Sequence, residues 1–143
     1  MSAYTPWLLA AGLMNALAAL LHLGCIIGGP PFYRFFGAGE RLARLAERGS
    51  IQPALITFGI ASLLGIWSLY AFSGAGIIRP LPLLRPALLL ITAIYLLRAA
   101  ALPFLLRMMP DRSPAFLVWN SIVVLIFGFV HLTGVILGWS ALQ

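Results

Sequence analysis

Few side chains in this sequence can do chemistry, and most of them lie inside long apolar runs. There are two histidines, His22 and His131, and one cysteine, Cys25. Near them in the apolar stretches stand Asn15, Thr57, Tyr95, Arg98 and Asn120. Ala11, Asn15, Ala18, His22 and Cys25 recur at steps of four and three, as do Asn120, Val124, Phe127, His131, Gly134 and Gly138. That heptad spacing puts each set on one face of a helix. Paired intramembrane histidines suggest haem ligation. A cysteine near a histidine suggests a thiol relay. A guanidinium among hydroxyl, phenol and amide groups suggests a hydrogen-bonding site for the polar head of an amphiphile.

Geometry thins these options. At ~1.5 Å per residue, His22, Thr57 and Arg98 fall ~22 Å below the outer ends of their helices, Tyr95 ~18 Å, Asn120 ~27 Å, and Asn15 and His131 about 10–12 Å. The expectation is two polar layers. His22, Thr57, Tyr95, Arg98 and Asn120 form an inner, candidate ligand-binding layer, and Asn15 with His131 an outer one. One haem held by both histidines needs them at one depth, so haem is disfavoured and the cofactor is left unknown. The three acids, Glu40, Glu47 and Asp111, all lie outside the apolar stretches, which leaves a Ser–His–acid relay without its acid. No Cys/His spacing matches a zinc site, and no metal site is expected. Cys25 has His22 on its own face but no third group to orient it. Each polar residue also has a plain structural use: the histidines and asparagines as interhelical glue, and Arg98 as a side chain snorkelling to the nearby interface.

These residues need a membrane to position them. The chain is 62% hydrophobic and 8% charged, with mean hydropathy +1.05. A soluble domain carries about 25% charged residues, and one of this length has too much surface to face water with this composition. Four apolar stretches, about 7–27, 51–72, 83–106 and 115–138, each match the ~20 residues that cross a ~30 Å hydrocarbon core. Thr5-Pro6 and Ser113-Pro114 place a capping hydroxyl before a proline suited to the first helical turn, and Ser50 can cap the second stretch. Pro103 falls inside the third, where it removes the backbone bond to Ala99 and predicts a kink or early end. The expected fold is an all-α membrane protein: an antiparallel four-transmembrane-helix bundle forming a single domain, 1–143. Ala61 and Gly65 form a small-xxx-small pair for close helix contact. The run Leu21–Cys25 has the outline of a lipoprotein cleavage site. No basic residue precedes it, however, so an uncleaved first helix is expected.

The linkers differ in character. Gly28-Gly29-Pro30-Pro31 stops the first helix. Residues 35–49 read as one short amphipathic helix lying on the membrane, with Arg34, Arg41, Arg44 and Arg48 as its membrane-surface contacts. Gly37-Ala38-Gly39 lacks the Lys-Ser/Thr of a phosphate loop and serves instead to let that segment bend. The first and third loops carry six arginines and the second loop two, so the first and third are expected in the cytoplasm and both termini outside, in a bacterial inner membrane. Tyr4, Trp7, Trp67, Tyr70 and Trp139 are expected at the outer interface.

The functional expectation is a small non-enzymatic binding or accessory subunit for a lipid-like or quinone-like molecule or a membrane partner. The alternatives are a small oligomeric transporter or channel and a haem-binding redox subunit. Val124, Phe127 and Ala18 interrupt the polar layers, which disfavours conduction. Membrane lipids are the expected partners, with a membrane protein or a second copy of the chain also possible. The net charge of +6 is confined to short loops, and no nucleic acid is expected.

Overall fold

The computed structural model describes residues 2–142, all helix and connecting turn with no strand among them. In order the helices are α1 (Thr5–Gly28), α2 (Pro30–Phe35), α3 (Glu40–Glu47), α4 (Gln52–Gly74), α5 (Leu84–Ala100), α6 (Leu102–Met108) and α7 (Pro114–Gly138). Three of them, α1, α4 and α7, are long and apolar enough to cross a membrane. A fourth crossing exists if the bent pair α5 and α6 is one span. Their outward faces are hydrocarbon: Leu17 and Leu20 on α1, Leu55 and Phe58 on α4, Leu90 and Leu97 on α5, and Ile126 and Phe129 on α7 are all exposed. Water would penalise this surface heavily, whereas lipid solvates it.

Small residues let the long helices approach. On α1, Gly12 lies under the Phe72 ring of α4, and the Ser68 hydroxyl donates to the Gly12 carbonyl at 2.8 Å. On α7, Gly134 receives Leu8 of the first turns of α1 and Gly138 receives Tyr4, the residue just before that helix, while Gly128 receives Leu96 of α5. Lipid offers little driving force for one apolar helix to seek another, so this tight packing matters more than burial itself. Ala61 is buried as the small-residue spacing suggests, but Gly65 has nothing near its missing side chain. Ala71, fully buried, supplies the second close position on α4.

At the ends some expectations change and others hold. The single amphipathic helix over 35–49 is two helices, α2 and α3, separated by Gly37 and Gly39, which both adopt positive φ, 71° and 98°. Nor does α3 stand apart: Ala43 is fully buried, and with Tyr33 and Cys25 it forms a small core of its own. The third apolar stretch breaks at Ala101, and α6 leaves at 59°, with Pro103 in its first turn. Thr5 lies within α1, which begins without a side-chain cap, whereas Ser113 caps α7 by accepting from the Phe116 amide. Ser50 accepts from the Gln52 amide at the start of α4.

Candidate functional site

At the centre of the described molecule Asn15, Tyr95 and His131 form one buried network. The Tyr95 hydroxyl donates to Asn15 Oδ1 at 2.5 Å. His131 Nδ1 lies 2.8 Å from the Phe127 carbonyl, so that nitrogen carries the proton. In the neutral ring Nε2 is then the acceptor for Asn15 Nδ2, 3.1 Å away. Both atoms of the Asn15 amide and both ring nitrogens are thereby occupied. Trp67 packs edge-on to Tyr95 at 5.1 Å. It is a core residue, buried, instead of part of an outer aromatic belt. The expected outer pair is thus brought together, but it recruits Tyr95 out of the inner layer.

Thr57 is also spoken for. Its hydroxyl donates to the Pro53 carbonyl at 2.7 Å and lies 3.5 Å from the Tyr33 hydroxyl. The contact with Tyr33 ties the start of α4 to α2. His22 is half-buried, and its Nδ1 donates to Ala18 O at 2.7 Å, leaving Nε2 free to accept. The register of α1 on α7, Tyr4 against Gly138 and Leu8 against Gly134, carries His22 to the level of Asn120 and Val124.

Arg98 and Asn120 come together as the depth reading expects: Arg98 Nη2 donates to Asn120 Oδ1 at 2.9 Å. The second terminal nitrogen, Nη1, is buried and has no hydrogen-bond partner. One other buried side-chain atom among the described residues shares that condition, the Ser121 hydroxyl, and Ser121 is 4% exposed. Ser121 stands seven residues before Gly128, which receives Leu96 of α5. It therefore lies on the same α7 face, toward the elbow where α5 ends. Pro103 has no amide proton to offer Ala99 there. The site is consequently an under-satisfied polar seam between α5 and α7, at the break, carrying a positive charge. Sequence reading finds Arg98 and Asn120 but not Ser121, which has no marker in a helix rich in small residues.

The arginines of the first and third loops divide into paired and free. Arg34 donates to Glu40 through Nε and Nη2, at 3.0 and 2.8 Å, and to Glu47 through Nη1 at 2.7 Å. Arg44 also reaches Glu40, at 3.2 Å. Hydrogen bonds from Arg34 and then Arg44 hold the Glu40 carboxyl down to about 2; the bond from Arg34 lowers Glu47; and the two carboxylates hold Arg34 well above its usual range. Arg34 is therefore chiefly a clamp between α2 and α3. Among the described residues Arg41, Arg48, Arg107, Arg112 and Asp111 make no ion pair. An open cleft of about 330 Å³ lies between the first and third loops, walled by Gly39, Glu40, Asp111, Arg112 and Phe116. Another of about 490 Å³ is walled by Glu40, Arg41, Arg44, Leu45, Arg48 and Asp111, acids and bases together. On the opposite side Arg85 donates to the carbonyls of Leu142 and Trp139, at 2.6 and 3.0 Å, and covers the Trp139 ring. It caps the end of α7, where a cation meets the negative end of the helix dipole.

Among the described residues no three His, Cys, Asp or Glu side chains approach closely enough to hold a metal ion. No family model, no curated protein and no solved structure matches this chain.

Proposed function

We propose that the chain is a four-span antiparallel bundle of the bacterial inner membrane, with both termini outside, and that it is a non-enzymatic binding or accessory protein. The α5–α6 pair supplies the third span, its elbow near the cytoplasmic headgroup level. Its ligand is a lipid-like or quinone-like amphiphile whose polar head docks at the elbow, on Arg98, with Asn120 holding the guanidinium and His22 at the same level. The observation that carries this reading is the buried, unpartnered Nη1 of Arg98. A buried donor without an acceptor forfeits ~1–3 kcal/mol, more when charged, and an oxygen of a bound head would recover it. Thr57 and Tyr95 stand outside the proposed contact set because both already have partners. Orientation follows the free arginines: Arg85 is absorbed in capping α7, which leaves Arg79 facing four unpaired arginines in the first and third loops.

The test is native mass spectrometry of protein carried in lipid discs, with released small molecules identified. Wild type retains one amphiphile per chain. Arg98→Gln and Asn120→Leu lose it, while Tyr95→Phe keeps it. Retention unchanged in Arg98→Gln, or a bare wild-type chain, defeats the reading. Topology is checked in a Cys25→Ala background. A cysteine at position 48 that reacts with an impermeant outside reagent reverses the orientation.

A further inference from the structure

The cleft between the first and third loops is lined by two acids and two bases, Glu40 with Arg34 and Asp111 with Arg112. The first two are spent on each other. Both carboxylate oxygens of Glu40 accept from Arg34, and one accepts from Arg44 as well. The second two are not. Among the described residues neither Asp111 nor Arg112 makes an ion pair, with the other or with any third group. They stand side by side on one wall, over Gly39. At the point a Gly39 Cβ would occupy, Asp111 Oδ2 is 3.1 Å away and Arg112 Nε 3.5 Å. The backbone there has φ 98°, which glycine accepts freely, so the wall stays open for the pair. Ser113 lines the same cleft. Its oxygen accepts from the Phe116 amide, which leaves the hydroxyl proton free to donate. After its internal pairing the cleft therefore presents one free carboxylate beside one free guanidinium.

We propose that this cleft holds the head of a zwitterionic phospholipid whose cation is a primary ammonium, a phosphoethanolamine group. Its phosphate accepts from Arg112 and Ser113, and its ammonium donates to Asp111, each a charge-assisted hydrogen bond. The site is separate from the elbow, and none of its lining residues belongs to the amphiphile contacts there. A head with a negative charge alone would set its phosphate against Asp111. A head with a positive charge alone would set it against Arg112. One that carries both satisfies both. A quaternary ammonium has no N–H for a carboxylate and is recognised instead on open aromatic faces, whereas the Phe116 ring in this cleft is packed against Gly37. Size and place agree. About 330 Å³ lies at the small end of the ~300–1,000 Å³ typical of small-molecule sites, room for a head but not for its chains. The apolar α7 begins at Pro114, directly after this turn, so the cleft sits where a span meets the headgroup layer. Phe35, on its rim and 82% exposed, gives the chains an apolar way out to the lipid.

The experiment is a titration of delipidated full-length protein in neutral detergent, read by native mass spectrometry. The probes are phosphatidylethanolamine, phosphatidylglycerol and phosphatidylcholine with the same chains, and free phosphoethanolamine as competitor. Phosphatidylethanolamine is expected to bind with one-to-one stoichiometry, roughly tenfold or more tighter than either other lipid, the worth of a charge-assisted hydrogen bond. Asp111→Asn is expected to erase that preference, weakening phosphatidylethanolamine while leaving phosphatidylglycerol no weaker. Arg112→Gln is expected to weaken phosphatidylethanolamine roughly tenfold. Arg79→Gln, which removes an equal charge from the second loop, is expected to change it less than twofold. Asp111 and Arg112 lie in the turn before α7, so neither variant disturbs a helix. Equal weakening by Arg79→Gln and Arg112→Gln would reduce the effect to general charge and overturn the proposal. Phosphatidylglycerol binding as tightly as phosphatidylethanolamine, untouched by Asp111→Asn, would leave the carboxylate without a role and overturn it too. Equal binding of phosphatidylcholine would overturn the primary ammonium. Displacement of the lipid by millimolar phosphoethanolamine would make the free head the ligand and overturn the assignment to a lipid. Full retention of phosphatidylethanolamine by both Asp111→Asn and Arg112→Gln would remove the cleft as its site without bearing on the elbow.

Discussion

The Tyr95 hydroxyl meets Asn15 Oδ1 across the bundle at 2.5 Å, and the other end of the same amide meets His131. Three helices, α1, α5 and α7, are thereby joined through one side chain. Removing an end of the network should cost less than removing its centre. Tyr95→Phe leaves one acceptor unpaired and is expected to destabilise by ~0.5–1.5 kcal/mol, the range seen for intramembrane hydrogen bonds. Asn15→Leu leaves the phenol and the imidazole unpaired together and should cost roughly twice that. Because Asn15 is shared, Tyr95→Phe in an Asn15→Leu background should cost nothing further and recover part of the loss, since it removes the phenol left unpaired. Reversible unfolding by a denaturing detergent measures all three. Additive losses would show that the two residues act separately.

The clamp between α2 and α3 makes a prediction in pH. Glu40 is held at about 2 against an ordinary 4.5, and Glu47 is shifted the same way. A carboxyl whose folded value is depressed stabilises fully above its unfolded value and loses that stabilisation as pH falls through the folded one. The distance between spin labels on α2 and α3 should therefore hold from neutrality to about 4.5 and broaden between there and about 2. Arg34→Gln should broaden it at neutral pH and erase the dependence. The groups are exposed, so high salt should loosen the clamp in wild type too. A distance that ignores pH, salt and Arg34 would mean that Tyr33 and Ala43, both buried, dock the helices unaided.

Composition and run length sufficed for the all-helical class and for three spans, because apolar runs of about 20 residues admit few other structures. The break in the third was legible in Pro103, since a missing amide proton acts locally. Depth counting paired Arg98 with Asn120 but misplaced Tyr95. It locates Cα atoms, and a helical side chain leans toward the N-terminus of its helix. α5 begins on the same side as α1, so the Tyr95 phenol reaches back to Asn15, while His131 on the opposed α7 leans the other way to meet them. The Arg34 clamp was hidden for another reason. Glu40 and Glu47 read as the polar side of one amphipathic helix until Gly37 and Gly39 folded that segment back on itself.

Gly37 is the hinge of that fold and can be separated from its neighbours. A Cβ there would stand 2.1 Å from the Phe116 ring, at φ 71°. Gly49 has nearly the same φ, 73°, with nothing within 4 Å. Alanine at either position pays ~1 kcal/mol for left-handed backbone; at Gly37 alone it must also displace the ring that pins the first loop to α7. Gly37→Ala is thus expected to lower thermal stability more than Gly49→Ala and to weaken disulfide cross-linking between cysteines at 38 and 115 in a Cys25→Ala background. Equal effects would assign the whole cost to backbone conformation and none to Phe116.

The elbow itself is testable through Pro103. Ala101 still donates to Leu97 O, and Leu105 to Ala101 O, but α5 ends at Ala100 and α6 starts at Leu102, so the ladder is interrupted between those two bonds, around the residue that cannot donate to Ala99. Pro103→Ala supplies that donor and removes the ring that crowds the preceding turn. If proline makes the bend, α6 swings toward the α5 axis. For a seven-residue helix turned through 59°, its far end moves by roughly 10 Å at 1.5 Å of rise per residue. Spin labels at exposed Leu106 and Val118 should report that shift. The anchor of α5 on α7 at Leu96 and Gly128 lies before the break and should stay, so labels at Leu90 and Ile126 serve as the fixed reference. A distance at 106 and 118 unchanged by the substitution would mean that α6 holds its angle by resting on α7 and the membrane surface, and that the open seam beside Arg98 does not depend on proline.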